Sequence, residues 1–343
     1  MKKHKKLIAK LIFIAIIVLV IWLTFKDSMG DIIGEIRNTS IWILLLICLT
    51  SVVYHLFEGW MTYSLAKRYN LEFKFLQGIY CAFYCSFYRL TTLGSATGVA
   101  AVYYLGQNGV SYSGAISLYM IQYVVHKIGV AIFSGILFLI CLPYMMQNYS
   151  GYVWLLILAY IVTVLICVGL ILLIMFKPFH EWLLKIGHRL NKKGKLDKAL
   201  SALESNAQIM GETAKKILTD KVQIIKLLVI TLIKYIFWFD IPFLVVGAAK
   251  LSFLHSLSIS SLAVMTAAVI PTPAGGGSVE FVMTALFGPV VGVSQAAAVT
   301  VLYRIATFIF PMIFAMILIL VRRGIRKRKG ITDKSFGFGK EKK

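Results

Sequence analysis

A carboxylate follows a glycine triplet in Pro271-Thr-Pro-Ala-Gly-Gly-Gly-Ser-Val-Glu280. Prolines and glycines interrupt a helix, so Glu280 falls in the first turn of whatever helix resumes, where the helix dipole favours negative charge. Two kinds of chemistry are open there. Glu280 either receives a cationic headgroup or a proton, or it caps its own helix. The amides around Gly275, Gly276, Gly277 and Ser278 offer a third use, a cradle for phosphate, and Glu280 would then need a cation beside it. Arg304, just after Tyr303, is one such cation. It either pairs with Glu280 or clamps a phosphate with its two-pronged guanidinium.

The other candidates are charges set inside long apolar stretches: Glu58, Arg89, Lys127, Lys234 and Asp240, with His55 and His126 titratable. An ionised side chain facing lipid at mid-depth costs at least ~2.5–3.5 kcal/mol, so these groups should face protein or water. Arg89 opens a second poor helix, Arg89-Leu-Thr-Thr-Leu-Gly-Ser-Ala-Thr-Gly98. It either binds phosphate from the side opposite Arg304 or snorkels to an interface. Lys234 and Asp240 lie in one segment near Trp238, on rather different helix faces, and are not expected to pair. Lys127 follows His126 in mid-segment; a buried lysine loses its proton or binds an anion. Glu58, one turn after His55, is a candidate proton site. For each of these a purely structural role stands open beside the functional one.

Enzyme motifs are missing. The chain has no GxSxG, HExxH, Walker loop or GxGxxG after a strand, and no visible nucleophile–base set. No catalytic residue, metal or cofactor is therefore expected. Cysteines 48, 81, 85, 141 and 167 lie in apolar segments without a CxxC pair and read as buried free thiols.

These residues need elements that position them in lipid. Apolar residues make up 59% of the chain, and several stretches match the roughly 20 residues that a membrane crossing needs. Apolar segments fall at about 7–25, 41–66, 75–105, 113–142, 152–176, 223–249, 257–290 and 293–321. The first reads as a retained signal anchor. The net charge of +22 gathers before the first segment, between Lys177 and Lys221, and after Arg322. Charge that flanks spans marks topology and contact with anionic inner-leaflet lipid, not nucleic acid.

Positive charge inside puts both termini in the cytoplasm, with loops 67–74 and 177–222 inside and loops 26–40 and 143–151 outside. Parity then requires segments 75–105 and 257–290 each to return to the side they entered. The expectation is an all-α integral membrane protein with about six full transmembrane helices and two oppositely oriented re-entrant hairpins, at about 75–105 and 257–290. The helical membrane domain covers 1–322. It includes a cytoplasmic insertion at about 177–222 that is amphipathic or a plain connector, and a basic cytoplasmic tail follows at 323–343. An offset of 181 superposes Gly94 on Gly275, Val110 on Val291, Ser113 on Ser294 and Ala115 on Ala296, as an inverted repeat would. Paired broken segments point to a transport site near the midplane; a kinked helix pair without transport is the plainer alternative.

Pro271-x-Pro-x-Gly-Gly-Gly-x-Val-Glu280, followed by Leu302-Tyr-Arg304, resembles the signature of the lysylphosphatidylglycerol synthase/flippase transmembrane region. That region is the flippase-like half of the bacterial multiple peptide resistance factor and also occurs alone. The resemblance covers nearly the whole chain. It implies a bacterial cell membrane protein that moves lipid between leaflets. Its cargo would be aminoacyl-phosphatidylglycerol, such as lysylphosphatidylglycerol, or another anionic or polyprenyl phospholipid. The family's aminoacyl-transferase domain has no counterpart here, so lipid aminoacylation is not expected. The family's first repeat usually carries an acid and an Arg at its break, then an Arg and an acid in the next span. Here Thr92–Gly98 has no acid, and the later pair is His126-Lys127-Ile-Gly129. The expected mechanism is a headgroup path between the two hairpins, driven by a gradient, protons or the membrane potential. The alternative is a scaffold for a separate lipid synthase or glycosyltransferase. A homo-oligomer is also compatible.

Overall fold

A computed structural model describes residues 29–92, 94–175, 177–190, 220–270, 272 and 275–328, and all regular structure among them is helical. The expected first span (7–25), most of the cytoplasmic insertion and the tail from 329 lie outside the described residues. The chain is an all-α membrane protein.

In chain order the helices are α1 (Met29–Asn38), α2 (Ile41–Ala66), α3 (Phe75–Thr91), α4 (Thr97–Gln107), α5 (Tyr112–Ile140), α6 (Leu142–Tyr149), α7 (Val153–Met175) and α8 (Lys177–Leu190). After the insertion come α9 (Lys221–Phe239), α10 (Ile241–Val246), α11 (Phe253–Val269), α12 (Ser278–Val291), α13 (Val293–Arg304), a π-helical turn at Ile305–Ile309, and α14 (Phe310–Arg328). Among the described residues, five helices are long and apolar enough to cross a membrane: Ile41–Ala66, Tyr112–Ile140, Val153–Leu172, Lys221–Val246 and Val293–Arg322.

The remaining apolar helices are short because their sequences stop them. α3 and α11 each run 17 residues, α12 runs 14 and α4 only 11. A crossing needs about 20. α3 gives way at Thr92–Ala96, where Gly94 takes φ 84°, and α11 gives way after Val269, where Gly275 and Gly277 take φ 70° and 81°. These backbone values suit glycine because a Cβ would collide with the following carbonyl. The offset of 181 thus pairs two left-handed glycines. Two more, Gly109 and Gly292, stand at φ 84° and 86° just before α5 and α13.

Several stretches depart from their expected form. Residues 143–151 are not a plain loop, because α6 forms there. Pro143 sits in its first turn, where a missing N–H costs nothing, and Met145 and Tyr149 bury beneath it. Part of 26–40 is likewise helical, with Ile36 packed on Ala297 and Ala298. The span from Lys221 is interrupted at Asp240, because Pro242 cannot donate to the preceding turn.

The described residues divide into two compact units. The first takes those up to Leu49, Ser134–Tyr160 and Phe239–Thr307; the second takes those of Thr50–Phe133, Ile161–Trp238 and Phe308–Lys343. The hairpin α11–α12 belongs to the first unit and α3–α4 to the second. Apolar helices gain little from burying surface against each other in lipid, so close packing at small residues holds such units together. In the second unit a Cβ on Gly59 would lie 2.5 Å from the Cα of Ile79, and one on Gly78 would strike the Gly59 carbonyl. Gly129 in α5 leaves room for Thr231 of α9 in the same way. In the first unit, α13 presents Ala296, Ala297 and Ala298 inward.

Exposure separates lipid-facing helices from enclosed ones. In α7 only 17% of the apolar window is buried, and Trp154, Leu155 and Leu165 point outward, a surface that only lipid tolerates. α11 is buried from Ser256 through Ala263 on every side. An enclosed arm is what an irregular turn at membrane depth requires, since lipid offers no hydrogen bonds to the freed backbone.

Candidate functional site

The break between α11 and α12 holds the first charge centre. Gly277 is the N-cap of α12, and Glu280 stands at the third helical position. That spacing lets the carboxylate fold back onto the helix start: the Gly277 N–H donates to Glu280 Oε2 at 2.8 Å. Half of a capping box forms, since glycine has no side chain to answer. Arg304, at the end of α13, reaches the same carboxylate. Its Nε donates to Oε1 at 2.7 Å and its Nη2 to Oε2 at 3.0 Å, the two-pronged geometry that a guanidinium favours. Nη2 also donates to the Gly275 carbonyl. Glu280 is therefore both a cap and half of an ion pair.

The amides of the break are partly spoken for. The Gly275 N–H donates to the Thr272 carbonyl at 3.2 Å, and the Thr272 and Ser278 hydroxyls meet at 2.7 Å. With the Gly277 amide on Glu280, two of the four amides around this turn are already bonded within the chain. The pair keeps some access: the Arg304 side chain is 14% exposed and Glu280 27%. The π-helical turn begins at the next residue, Ile305. Such turns widen a helix locally and often sit beside functional residues.

A second centre lies wholly in the other unit, where α2, α5 and α9 meet. Lys234 is fully buried and pairs with Glu58, whose side chain is 22% exposed. Lys234 Nζ also lies 3.4 Å from His126 Nδ1 and 3.5 Å from Met61 Sδ, and 5.4 Å from the ring centroids of Tyr54 and Tyr235. Gln122 Nε2 donates to Glu58 Oε1 at 2.7 Å, and the Thr62 hydroxyl lies 3.2 Å from Gln122 Oε1. If Lys234 donates to His126 Nδ1, that imidazole is neutral there. His55 stands apart from this group. Its Nδ1 contacts the Ser51 carbonyl, its Nε2 meets the Ser86 hydroxyl at 2.9 Å, and its ring stacks on Phe83.

The remaining nominated residues separate. Asp240 lies in the first unit at the start of α10, and its Oδ1 has no hydrogen-bond partner among the described residues. Arg89 sits in the last turn of α3 with its guanidinium 5.8 Å from the Phe308 ring centroid. Lys127 lies 5.6 Å from the Tyr123 ring, one turn back in α5. Gly276 occupies the turn between the two left-handed glycines.

Two features escaped the sequence reading. Gln122 completes the Glu58 centre, and its signal was a lone amide one turn before His126. Tyr80, Tyr84 and Tyr88 recur every four residues along one face of α3, with ring centroids 6.1 and 4.9 Å apart and the last two hydroxyls 3.4 Å apart. At the start of this row Arg322 lies over Tyr80 and Tyr104 and donates to the Tyr104 hydroxyl at 2.8 Å.

A sequence model described as the lysylphosphatidylglycerol synthase TM region matches residues 8–315. No curated protein matches the chain. Multiple apolar spans, short helices broken at glycines and a match over most of the length lead to one assignment. The chain is a multi-pass membrane protein that belongs to the lysylphosphatidylglycerol synthase TM region family.

Proposed function

We propose that this protein moves a phospholipid headgroup between leaflets while the acyl chains stay in the bilayer. The carrying observation is the Glu280–Arg304 pair, a partly exposed ion pair built into the break of a short-helix hairpin. Broken helices at membrane depth are where transporters hold polar cargo. The pair suits a headgroup that offers a phosphate to Arg304 and, where aminoacylated, an ammonium to Glu280. Such a headgroup could replace each partner with one of like charge, so neither protein charge would be stranded in a dry site. The Gly275 carbonyl keeps the guanidinium aimed during the exchange. The chain supports no lipid synthesis in this reading; it handles a finished lipid of the bacterial cell membrane.

The positive-inside rule supports a direction for each hairpin. The hairpin α3–α4 follows the basic loop 67–74 and would enter from the cytoplasm, and α11–α12 from outside. A cysteine at Ser95 should then react with a membrane-impermeant thiol reagent only from the cytoplasmic side, and one at Ser278 only from the other. Reversed labelling would sink the topology.

The function is tested with purified protein in liposomes that carry a fluorescent anionic phospholipid, read by chemical quenching of the outer leaflet. The protein should accelerate transbilayer movement, and Glu280→Gln or Arg304→Ala should slow it at least about tenfold, as expected for losing a charged hydrogen-bonded pair. Movement that both variants leave at the wild-type rate would remove the site from the mechanism. No acceleration of any anionic lipid would remove the function.

A further inference from the structure

Three acids lie within the apolar segments of the described residues: Glu58, Asp240 and Glu280. Glu58 pairs with Lys234, and Glu280 with Arg304. Asp240 forms no ion pair among the described residues, and its Oδ1 is buried without a hydrogen-bond partner. It stands at the N-cap of α10, yet its side chain makes no capping bond. The elements around it hold no spare charge. α10 packs on α11 and α13. Their titratable groups are His255 on α11 and Tyr303 and Arg304 on α13, with Lys250 in the connection from α10 to α11. Arg304 is held by Glu280, Lys250 donates to Gln295 at 2.7 Å, and the His255 ring stacks on Tyr144 at 3.7 Å. Tyr303 is buried. On α9, Lys234 belongs to Glu58.

A buried carboxylate with a bare oxygen is costly when ionised and far less so as the neutral acid. The geometry around Oδ1 therefore suits the protonated form. Ionisation requires that oxygen to reach a more polar place, and α10 is built to move. It is a six-residue piece between two interruptions: Pro242 lies in its first turn and cannot donate to α9, and Gly247 ends it at φ 84°. Breaks of this kind absorb a change of backbone angle while the flanking helices stay whole. The element on its far side matters too, since α13 carries Arg304 at its end. α10 and α13 pack directly within one unit, so a shift of the first bears on the second.

We propose that Asp240 is a proton-binding site, protonated while α10 stands as seen and ionised when α10 shifts, and that it couples lipid movement to protons. This rests on the lipid-moving reading above and adds its driving ion. The step breaks one O–H bond, passes the proton to water and leaves a carboxylate; rebinding reverses it. Intramembrane acids without a counter-ion mark proton relays for this reason: they change charge at the depth where charge is hardest to hold. Through α13 the two states of Asp240 favour different placements of Arg304, the cation of the proposed headgroup site.

The test uses the full chain in liposomes that carry the fluorescent anionic phospholipid, with a pH gradient imposed across the membrane. With one proton per lipid, a gradient of about one pH unit should shift the steady-state leaflet ratio up to about tenfold. Asp240→Asn, which has no proton to exchange, should abolish that response, and Asp240→Glu should keep part of it. A wild-type ratio that ignores the gradient overturns the proposal, and so does a full response in Asp240→Asn. A ratio that follows a sodium gradient and not pH overturns it as well. Infrared spectroscopy of the protein in detergent reads the acid directly. The wild-type chain should show a carboxylic-acid carbonyl band that Asp240→Asn lacks and that fades as pH rises. A spectrum without this band overturns the proposal whether or not lipid moves. If Asp240→Asn elutes as aggregate, the fading of the band in the wild-type chain replaces the comparison. Glu280→Gln should slow transport and leave the band in place. The band without any lipid movement would keep the proton site and reject the proposed function. Lipid movement without the band would do the reverse.

Discussion

At the turn of the second hairpin, Glu280 and Arg304 meet across 24 residues of chain and close on the Gly275 carbonyl. At the turn of the first, Arg89 ends its helix over a phenylalanine ring, with no acid between Thr92 and Gly98 to meet it. The backbones are alike: a 17-residue arm, a left-handed glycine, a shorter arm, and a second left-handed glycine before the next span. The charges are not. One turn neutralises itself; at the other, Arg89 meets no carboxylate among the described residues. The two hairpins share a broken backbone, whereas the side chains around each break set its charge.

The sharpest ways to test this contrast remove one charge at a time. The largest stability loss should come from Lys234→Met. It strands Glu58 with only Gln122, and breaking such a buried pair costs about 3–5 kcal/mol. Unfolding in detergent by heat or denaturant would read it, and Lys234→Met combined with Glu58→Gln should recover most of the loss. If the single and double variants are equally unstable, the lysine matters for packing and not for charge.

Arg304→Ala should cost less, about 1–3 kcal/mol, because it leaves a carboxylate that is still capped by the Gly277 amide and 27% exposed. Arg304→Lys restores charge without the fork and should recover only part of the stability and of the transport.

Arg89→Gln should be the mildest, within about 0.5 kcal/mol of wild type in the absence of lipid, since no partner is left stranded. If Arg89→Gln destabilises the empty protein as strongly as Arg304→Ala does, the two turns are electrostatically equivalent and the comparison fails.

Much was legible before any coordinates. Hydropathy and charge placement named the described spans within a few residues. The clusters Pro271–Gly277 and Thr92–Gly98 marked where helices stop, because glycine and proline act on their own backbone. The place of Glu280 in the first turn of α12 followed from counting three residues past Gly277. What was missed was helix in stretches read as loops, such as Leu142–Tyr149, where burial of Met145 and Tyr149 outweighs a weak local preference. The interruption at Asp240 falls inside the expected segment 223–249, where Pro242 cannot donate to the preceding turn.

Beyond the pairing of Glu280 with Arg304, which stood among the alternatives, partners across helices were not legible. Lys234 has Asp240 six residues away but pairs with Glu58, 176 residues away. His126 and Lys127 are neighbours in sequence, and only His126 joins that pair. On a helix each residue turns about 100° from the last, so adjacent side chains serve different surfaces. Local chemistry therefore determined where the helices break and which charges lie at membrane depth. Only the packing of α2 against α3 at Gly59 and Gly78, and of α5 against α9 at Gly129, decided which charges meet and which stay unanswered, because a side chain's partner depends on the helix it faces and not on its neighbours in sequence.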